Sequence, residues 1–302
     1  MKRAAILAFA ACTGEVDQQV GLFEPIRVPD GEFIEDEIPD GGASEVTSIE
    51  AASGILVTGQ QQRLLAGRTS EDAHAIAIRF AGLGSGWWVR PVQDLDPVFP
   101  GERDFQLRYD VGTGVPAARH TLELAAVDGE GRRGPTFELD VCVQDDAVPD
   151  NLNACDPTIK PPAVVVVLAW DRDVDLDLVV ETPDGGRIAH KTPSGGAEDP
   201  EDPGVGRLVR DSNSGCVLDG RNSEAVVWQD EPAEGTYLVY ADLFDACGEP
   251  GALLSVAVHR RVDNGDGTWA LEETARTTGA VTDLQASGGA GPPLYVTSVE
   301  LP

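Results

Sequence analysis

Between Ala43 and about Val143 the chain repeats one pattern, a short apolar run followed by a polar turn. The runs are Val46–Ile49, Ile55–Thr58, His74–Phe80, Trp87–Arg90, Phe105–Asp110, His120–Val127 and Phe137–Val143. In His74-Ala-Ile-Ala-Ile-Arg-Phe80 and Thr121-Leu-Glu-Leu124 apolar and polar positions alternate. That is the period of a strand with one face on a core and the other in water. Seven such runs over about a hundred residues predict an immunoglobulin-like sandwich. Gln60–Leu65 reads as one helical turn. The stretch DDAVPDNLNACDPTIKPP, residues 145–162, breaks the pattern with prolines and turn formers and marks a boundary. Beyond it the alternation resumes in Gly186–His190, Leu208–Arg210, Ala225–Trp228, Thr236–Asp242, Leu253–Val262, Thr268–Arg276 and Leu294–Leu301. About eight strands there predict a jelly-roll-like sandwich.

The eighth strand is the most sharply patterned stretch, Ala163–Gly186 (AVVVVLAWDRDVDLDLVVETPDGG). Read as one strand, it points Trp170, Val174, Leu176 and Leu178 to one face and Asp171, Asp173, Asp175 and Asp177 to the other. Same-face neighbours about 7 Å apart repel by about 0.6 kcal/mol in water and about 2.4 kcal/mol at an effective dielectric of 20. Uncompensated, three such pairs cost roughly 2–7 kcal/mol. Solvent, backbone N–H groups, cationic side chains or a bound cation must offset that cost. Arg172, the nearest base in sequence, faces the other way on a regular strand.

Composition sharpens the class. The 34 Gly and 21 Pro argue for an all-β rather than a helical architecture, and 302 residues with 41% hydrophobic content suffice for two cores. No apolar run approaches the roughly 18 residues of a transmembrane helix. The start MKRAAILAFAA, residues 1–11, has a basic beginning, a short apolar segment and small residues before Cys12. It resembles a bacterial lipoprotein signal peptide, and the resemblance implies Cys12 as the lipid attachment site and the bacterial outer membrane as a partner. Residues 12–42, acidic and Pro-punctuated, then read as a disordered tether, leaving domains at 43–146 and 163–302 with a linker at 147–162. Without Lys2 and Arg3 the bases fall from 22 to 20 against 52 acids, a net charge of −32. Such a charge excludes nucleic acid as a partner and favours divalent cations or basic partners.

Cys142, Cys155, Cys216 and Cys247 remain, an even number in an exported chain. Of three possible pairings, proximity favours Cys142–Cys155 and Cys216–Cys247, each contributing roughly 3–4 kcal/mol through loop closure. The spacings fit no zinc pattern.

Several motifs carry a resemblance. Leu168-Ala-Trp170, Val174-Asp-Leu-Asp-Leu178, Pro183-Asp-Gly185 and Pro232-Ala-Glu-Gly-Thr-Tyr237 resemble bacterial pre-peptidase C-terminal-like sandwiches with a W…DxDLxxxxPDG opening. Val148–Cys155, Arg210–Cys216 and Leu243–Gly248 are similar to stretches of myxobacterial lipoproteins. The resemblance implies an extracytoplasmic β-sandwich module without known catalysis. Its partner at the cell surface would be a protein or a polysaccharide. Two alternatives stand beside it, a carbohydrate-binding surface module and an accessory subunit of a secreted hydrolase. The mark of the first would be Trp87, Trp88 or Trp228 exposed as a flat row.

The sharpest chemical expectation is calcium, which takes six to eight oxygen ligands. Asp173, Asp175 and Asp177 offer carboxylates, and Asp211 and Asn213 of a D-x-N-x-G loop could complete the shell. Asp263-Asn-Gly-Asp-Gly267 lacks the downstream glutamate of a calcium loop and reads as a hairpin. Catalysis finds little footing and no enzyme is expected. Gly82–Gly86 has its serine out of register for a nucleophile elbow. Gly129–Gly134 matches GxGxxG but is followed by Pro135 and a strand rather than a helix.

Overall fold

The computed structural model describes residues 25–301. The signal segment, Cys12 and the first half of the expected tether lie outside the described residues. The described chain is all-β and divides into two compact units. One comprises residues up to Val115 together with His120–Val141; the other comprises Pro116–Arg119 and the chain from Cys142 onward.

The first unit is built from β1 (Ile26–Arg27), β2 (Glu32–Ile34), β3 (Val46–Ala51), β4 (Ile55–Val57), β5 (Arg63–Ser70), β6 (Ala73–Phe80), β7 (Trp87–Pro91), β8 (Glu102–Val111), β9 (Ala118–Asp128) and β10 (Arg133–Gln144). They form two sheets, ordered β1-β8-β5-β3 and β2-β7-β6-β9-β10-β4. Inward positions alternate as the pattern requires: Ile76, Ile78 and Phe80 on β6, and Phe105, Leu107 and Tyr109 on β8, are all buried. Gly129–Gly134 is a hairpin connection, its turn fixed by Asp128 Oδ1, which accepts the N–H groups of Glu130 and Arg132.

Two expectations for this unit need correction. Residues 25–42 of the supposed tether are strands and packed chain. Ile26 pairs with Val111, and Ile38 is buried against Ala77, Trp87, Ala125 and Val127. A few well-spaced apolar residues suffice to fasten an acidic segment to a sheet that already exists. The helical turn at Gln60–Leu65 is instead the approach to β5 and, from Arg63, its first residues. Its alternation was hidden because the inward residues include Gly67 and Thr69. A Cβ at Gly67 would meet Ser48 O at 2.1 Å, so glycine there lets β3 and β5 approach.

The second unit holds β11 (Val164–Trp170), β12 (Asp175–Glu181), β13 (Arg187–Ile188), β14 (Arg207–Leu208), β15 (Ser223–Trp228), β16 (Gly235–Asp245), β17 (Gly251–Asp263), β18 (Trp269–Thr282) and β19 (Leu294–Leu301). The sheets are β14-β15-β11-β17-β18 and β13-β12-β16-β19, with the chain crossing repeatedly between them as in a jelly roll. Val164, Val166 and Leu168 meet Leu176, Leu178 and Val180 across the core, joined by Trp228, Tyr237 and Val239. The other face of β11 is buried too, because Val148 of the expected linker packs on Val165, Val167, Ala225 and Val227. A strand covered on both sides reads as a continuous apolar run, which accounts for Val164–Val167. Part of the linker at 147–162 therefore belongs to the second unit. The Cys142–Cys155 and Cys216–Cys247 disulfides are both formed.

The single long strand expected over Ala163–Gly186 is two. The chain leaves β11 at Trp170, turns through residues 171–174 and enters the opposite sheet as β12. Asp171 and Asp173 lie in that corner, where Asp171 Oδ1 accepts the Leu253 N–H at 2.8 Å. Only Asp175 and Asp177 stand on a strand, and their side of it does not face water.

Candidate metal centre

Alternation along β12 sends Leu176, Leu178 and Val180 into the core and Asp175 and Asp177 to the outer face of the four-stranded sheet. Asp242 on β16 stands directly across from Asp177 in the register, so its side chain shares that face. This acidic face is roofed by other chain: Asp175 and Asp177 each expose 3% of their surface.

Residues 211–216 supply part of the roof. Asn213, Gly215 and Cys216 there all adopt left-handed backbone, with φ of 61°, 58° and 61°. The bend aims the Gly215 N–H at Asp175 Oδ2, 2.7 Å away. Cys216 is tied by its disulfide to Cys247, just beyond the end of β16, and this pins the loop to the strand pair beneath it. Asp211, at the start of the loop, completes a triplet: Asp175, Asp177 and Asp211 each offer a carboxylate oxygen, all within 4.8 Å of one another. At that spacing unit charges repel by about 3 kcal/mol per pair at an effective dielectric of 20.

A second buried acid supports the triplet from β15. Glu224 accepts the Ser212 N–H at 3.0 Å on one oxygen and the Leu178 N–H at 2.7 Å on the other. It joins the roof to β12 with its acceptors already engaged. Asp177 is different: its Oδ2 is buried and has no hydrogen-bond partner among the described residues. Its Oδ1 lies 3.3 Å from His190 Nδ1, which is itself shielded from water and lacks the alignment of a hydrogen bond.

Burial and crowding act on these groups together. Desolvation, reinforced by the charges of Asp175, Asp211 and Asp242, pushes Asp177 up to about 7, with Lys191 opposing. Desolvation likewise lifts Asp175, against the Gly215 N–H that favours its ionised form. Glu224 is pushed up to about 9, mainly by burial and then by Asp177, although its two N–H donors pull the other way. Three carboxyls that resist ionisation in one place are the electrostatic mark of a pocket that takes up either protons or a cation.

Of the five expected ligands, three converge and two do not. Asp173 is exposed in the corner and receives a long 3.4 Å contact from Asn222 Nδ2. Asn213 is buried, but its amide is spent on structure. Nδ2 donates to Val174 O and Asn222 Oδ1, while Oδ1 accepts the Asp219 N–H. It fastens the roof to the corner rather than facing an ion. Sequence reasoning missed Asp242, Glu224 and His190. A lone glutamate inside the apolar run Ser-Glu-Ala-Val-Val-Trp was the one available signal.

The donor set of the triplet is all oxygen and anionic, and Asp177 Oδ2 has no partner among the described residues, so these residues fit a divalent cation. Cys216, Asp245 and Cys247 also cluster. Their sulfurs are joined to each other, however, and Asp245 Oδ1 accepts the Cys247 N–H, so that group is a braced turn. Asp263–Gly267 is the expected hairpin, with Asp263 Oδ1 accepting the Gly265 N–H. The three indoles named for a sugar platform are buried: Trp87 at 0%, Trp88 at 8% and Trp228 at 1% exposure, so they form no flat exposed row.

No protein-family model matches the chain, and no curated protein matches it. Among solved structures it is similar to the fibronectin(III)-like modules of Clostridium thermocellum CbhA, at 12% identity over 82% of this chain and 97% of that one, with a TM-score of 0.18. It is also similar to the D00-D0 domain of Intimin, at 10% identity over 72% and 90% of the two chains, with a TM-score of 0.15. At those TM-scores neither likeness bears on the metal centre.

Proposed function

We propose that the protein is a lipid-anchored, extracytoplasmic binding or structural module whose second sandwich is closed by a divalent cation held by Asp175, Asp177 and Asp211. The observation that carries the cation reading is Asp177, almost wholly buried among other acids with an oxygen that no group among the described residues satisfies. A buried carboxylate without a partner is costly, and a cation removes the cost by meeting the charge and the lone pairs at once. The two disulfides support an oxidising compartment. The basic, then apolar, start before Cys12 supports the anchor, and the surplus of acids supports a setting rich in divalent ions.

Thermal unfolding in chelator and in millimolar calcium tests the cation. An ion at one hundred times its Kd adds about 2.7 kcal/mol, which for a unit of this size raises Tm by roughly 5–10 °C. An unchanged midpoint ends the reading. Mass spectrometry of membrane fractions tests the anchor separately, since an unmodified Cys12 rules it out.

A further inference from the structure

We infer that a cleft on the outer face of the five-stranded sheet, lined by Asn153, His259, Trp269 and Glu273, binds a short neutral saccharide. It belongs to the sheet opposite the one that carries the cation centre and stands independently of that centre.

Strand alternation builds the floor. Leu254, Val256 and Val258 of β17 point into the core, so His259 and Arg261 point outward. Pairing sets Glu273 of β18 opposite His259, Leu271 opposite Arg261 and Trp269 opposite Asp263, which places them all on that outer face. The connector covers part of it. Val148 packs on Val165 and Val167, and the Cys142–Cys155 disulfide closes the connector into a loop. Within the loop Asn151 Nδ2 donates to Asp145 O and the Ala147 N–H to Asp145 Oδ1, each at 2.9 Å. Between loop and sheet a cavity of about 470 Å³ remains, lined wholly by the second unit. Small-molecule sites span roughly 300–1,000 Å³.

The lining selects the chemistry. Trp269 and Leu271 offer apolar surface, whereas Asn153, His259 and Glu273 offer polar groups. Glu273 is already met by Arg276, whose Nε lies 2.8 Å from Oε1 and whose Nη2 donates to Oε2, so it has little attraction left for a cation. Among the described residues that line the cavity there is no lysine or arginine, and Asp145 is one of them, which disfavours an anion. Burial holds the His259 imidazole below its usual value, with Glu273 and Asp145 opposing. Uncharged at neutral pH, the ring donates from one nitrogen and accepts at the other. Asn153 is 7% exposed, and its Oδ1 is shielded with no hydrogen-bond partner among the described residues. Such an oxygen is costly until a donor reaches it. A sugar ring matches this division, because its C–H face packs on an indole while its hydroxyls both donate and accept. Trp269 differs from the three buried indoles in being only partly covered. Its N–H donates to Pro157 O at 2.7 Å, and Arg261 and Lys160 lie 5.7 and 5.8 Å from its ring centroid.

The test probes an array of neutral and acidic oligosaccharides with the full, disulfide-intact chain. The neutral glycan retained best is then titrated as the free oligosaccharide by calorimetry. Neutral glycans are expected to be retained and acidic ones not. Trp269→Ala and His259→Ala should each weaken the free oligosaccharide by about tenfold or more, and Trp269→Phe by less. An array that retains nothing, or only acidic glycans, overturns the inference. So does a neutral glycan whose affinity is indifferent to both alanine variants, since the sugar then sits elsewhere. Urea unfolding checks that Trp269→Ala is folded; where it is not, His259→Ala and Trp269→Phe carry the test.

Discussion

Both units carry acids against their sheets, but the acids of β12 are met differently from those of the first unit. In the first, guanidinium groups meet the acids: Arg79 bridges Glu37 and Glu123, Arg68 bridges Glu50 and Glu102, and Arg133 meets Asp40. Trp87 adds its indole N–H to Glu37 and lies under Arg79, whose guanidinium carbon is 4.1 Å from the ring centroid. The hydrogen bonds from Arg79 and Trp87 hold the Glu37 carboxyl below the usual range. In the second unit the acids of β12 meet one another, and burial drives Asp177 and Glu224 upward. Fixed charge closes the first network within the protein. The second is left open to something added from solution.

Breaking the brace over the second centre should have the largest effect. Cys216 and Cys247 are 31 residues apart, so Cys216→Ser with Cys247→Ser should cost about 3–4 kcal/mol of stability in urea unfolding. It should also abolish the response to divalent ions, because the loop carrying Asp211 is released. An ion response that survives the double substitution would separate the disulfide from the site.

Asp177→Asn gives the next largest effect and should change sign with conditions. In chelator it removes a buried repulsive charge and raises stability by roughly 1–2 kcal/mol. In saturating ion it forfeits a ligand and is less stable than the wild type by about 2–3 kcal/mol. A substitution that destabilises in both conditions would mean that Asp177 is structural only.

The two units should also answer pH in opposite directions. With the ion removed, the Asp177 carboxyl is raised on folding, so its contribution is complete below 3.8 and is lost as pH climbs through about 7. Glu224 extends the loss from 4.5 toward about 9. Glu37 is depressed, so its contribution is present above 4.5 and disappears on acidification. Hydrogen exchange in chelator should therefore show the second unit loosening between pH 5 and pH 8 while the first holds. Equal loosening of both would break the contrast.

The smallest effect is expected at Arg79→Gln. Glu37 is largely exposed and Arg79 only partly buried, so the pair contributes at most about 1 kcal/mol in a double-mutant cycle with Glu37→Gln.

How much of this was legible depended on the kind of information each residue carries. Alternation at His74–Phe80 and Leu253–Val262 announced strands because each has one face on a core and one outside. It failed at β5, where Gly67 and Thr69 occupy inward positions without looking apolar. It failed again at 171–174, where aspartates continue at every second position through a corner and only Arg172 interrupts the apolar side of the pattern. Asp175, Asp177 and Asp211 were recognisable as possible ligands from side-chain type alone. Asp242, Glu224 and His190 were not, since their relevance comes from pairing across strands and from a turn, relations that spacing along one segment does not encode.

From the linear order of residues came the all-β class, the two-unit division, the proximity of the cysteine pairs and the strand face on which Asp175 and Asp177 sit. Period-two alternation and short loop closure are local physics, and local physics is written in adjacent residues. What covers that face was decided only when the chain crossed from one sheet to the other and the disulfide drew residues 211–216 over it. Burial depends on which distant segment arrives, and burial is what turns two ordinary strand aspartates into a centre that calls for a counter-charge.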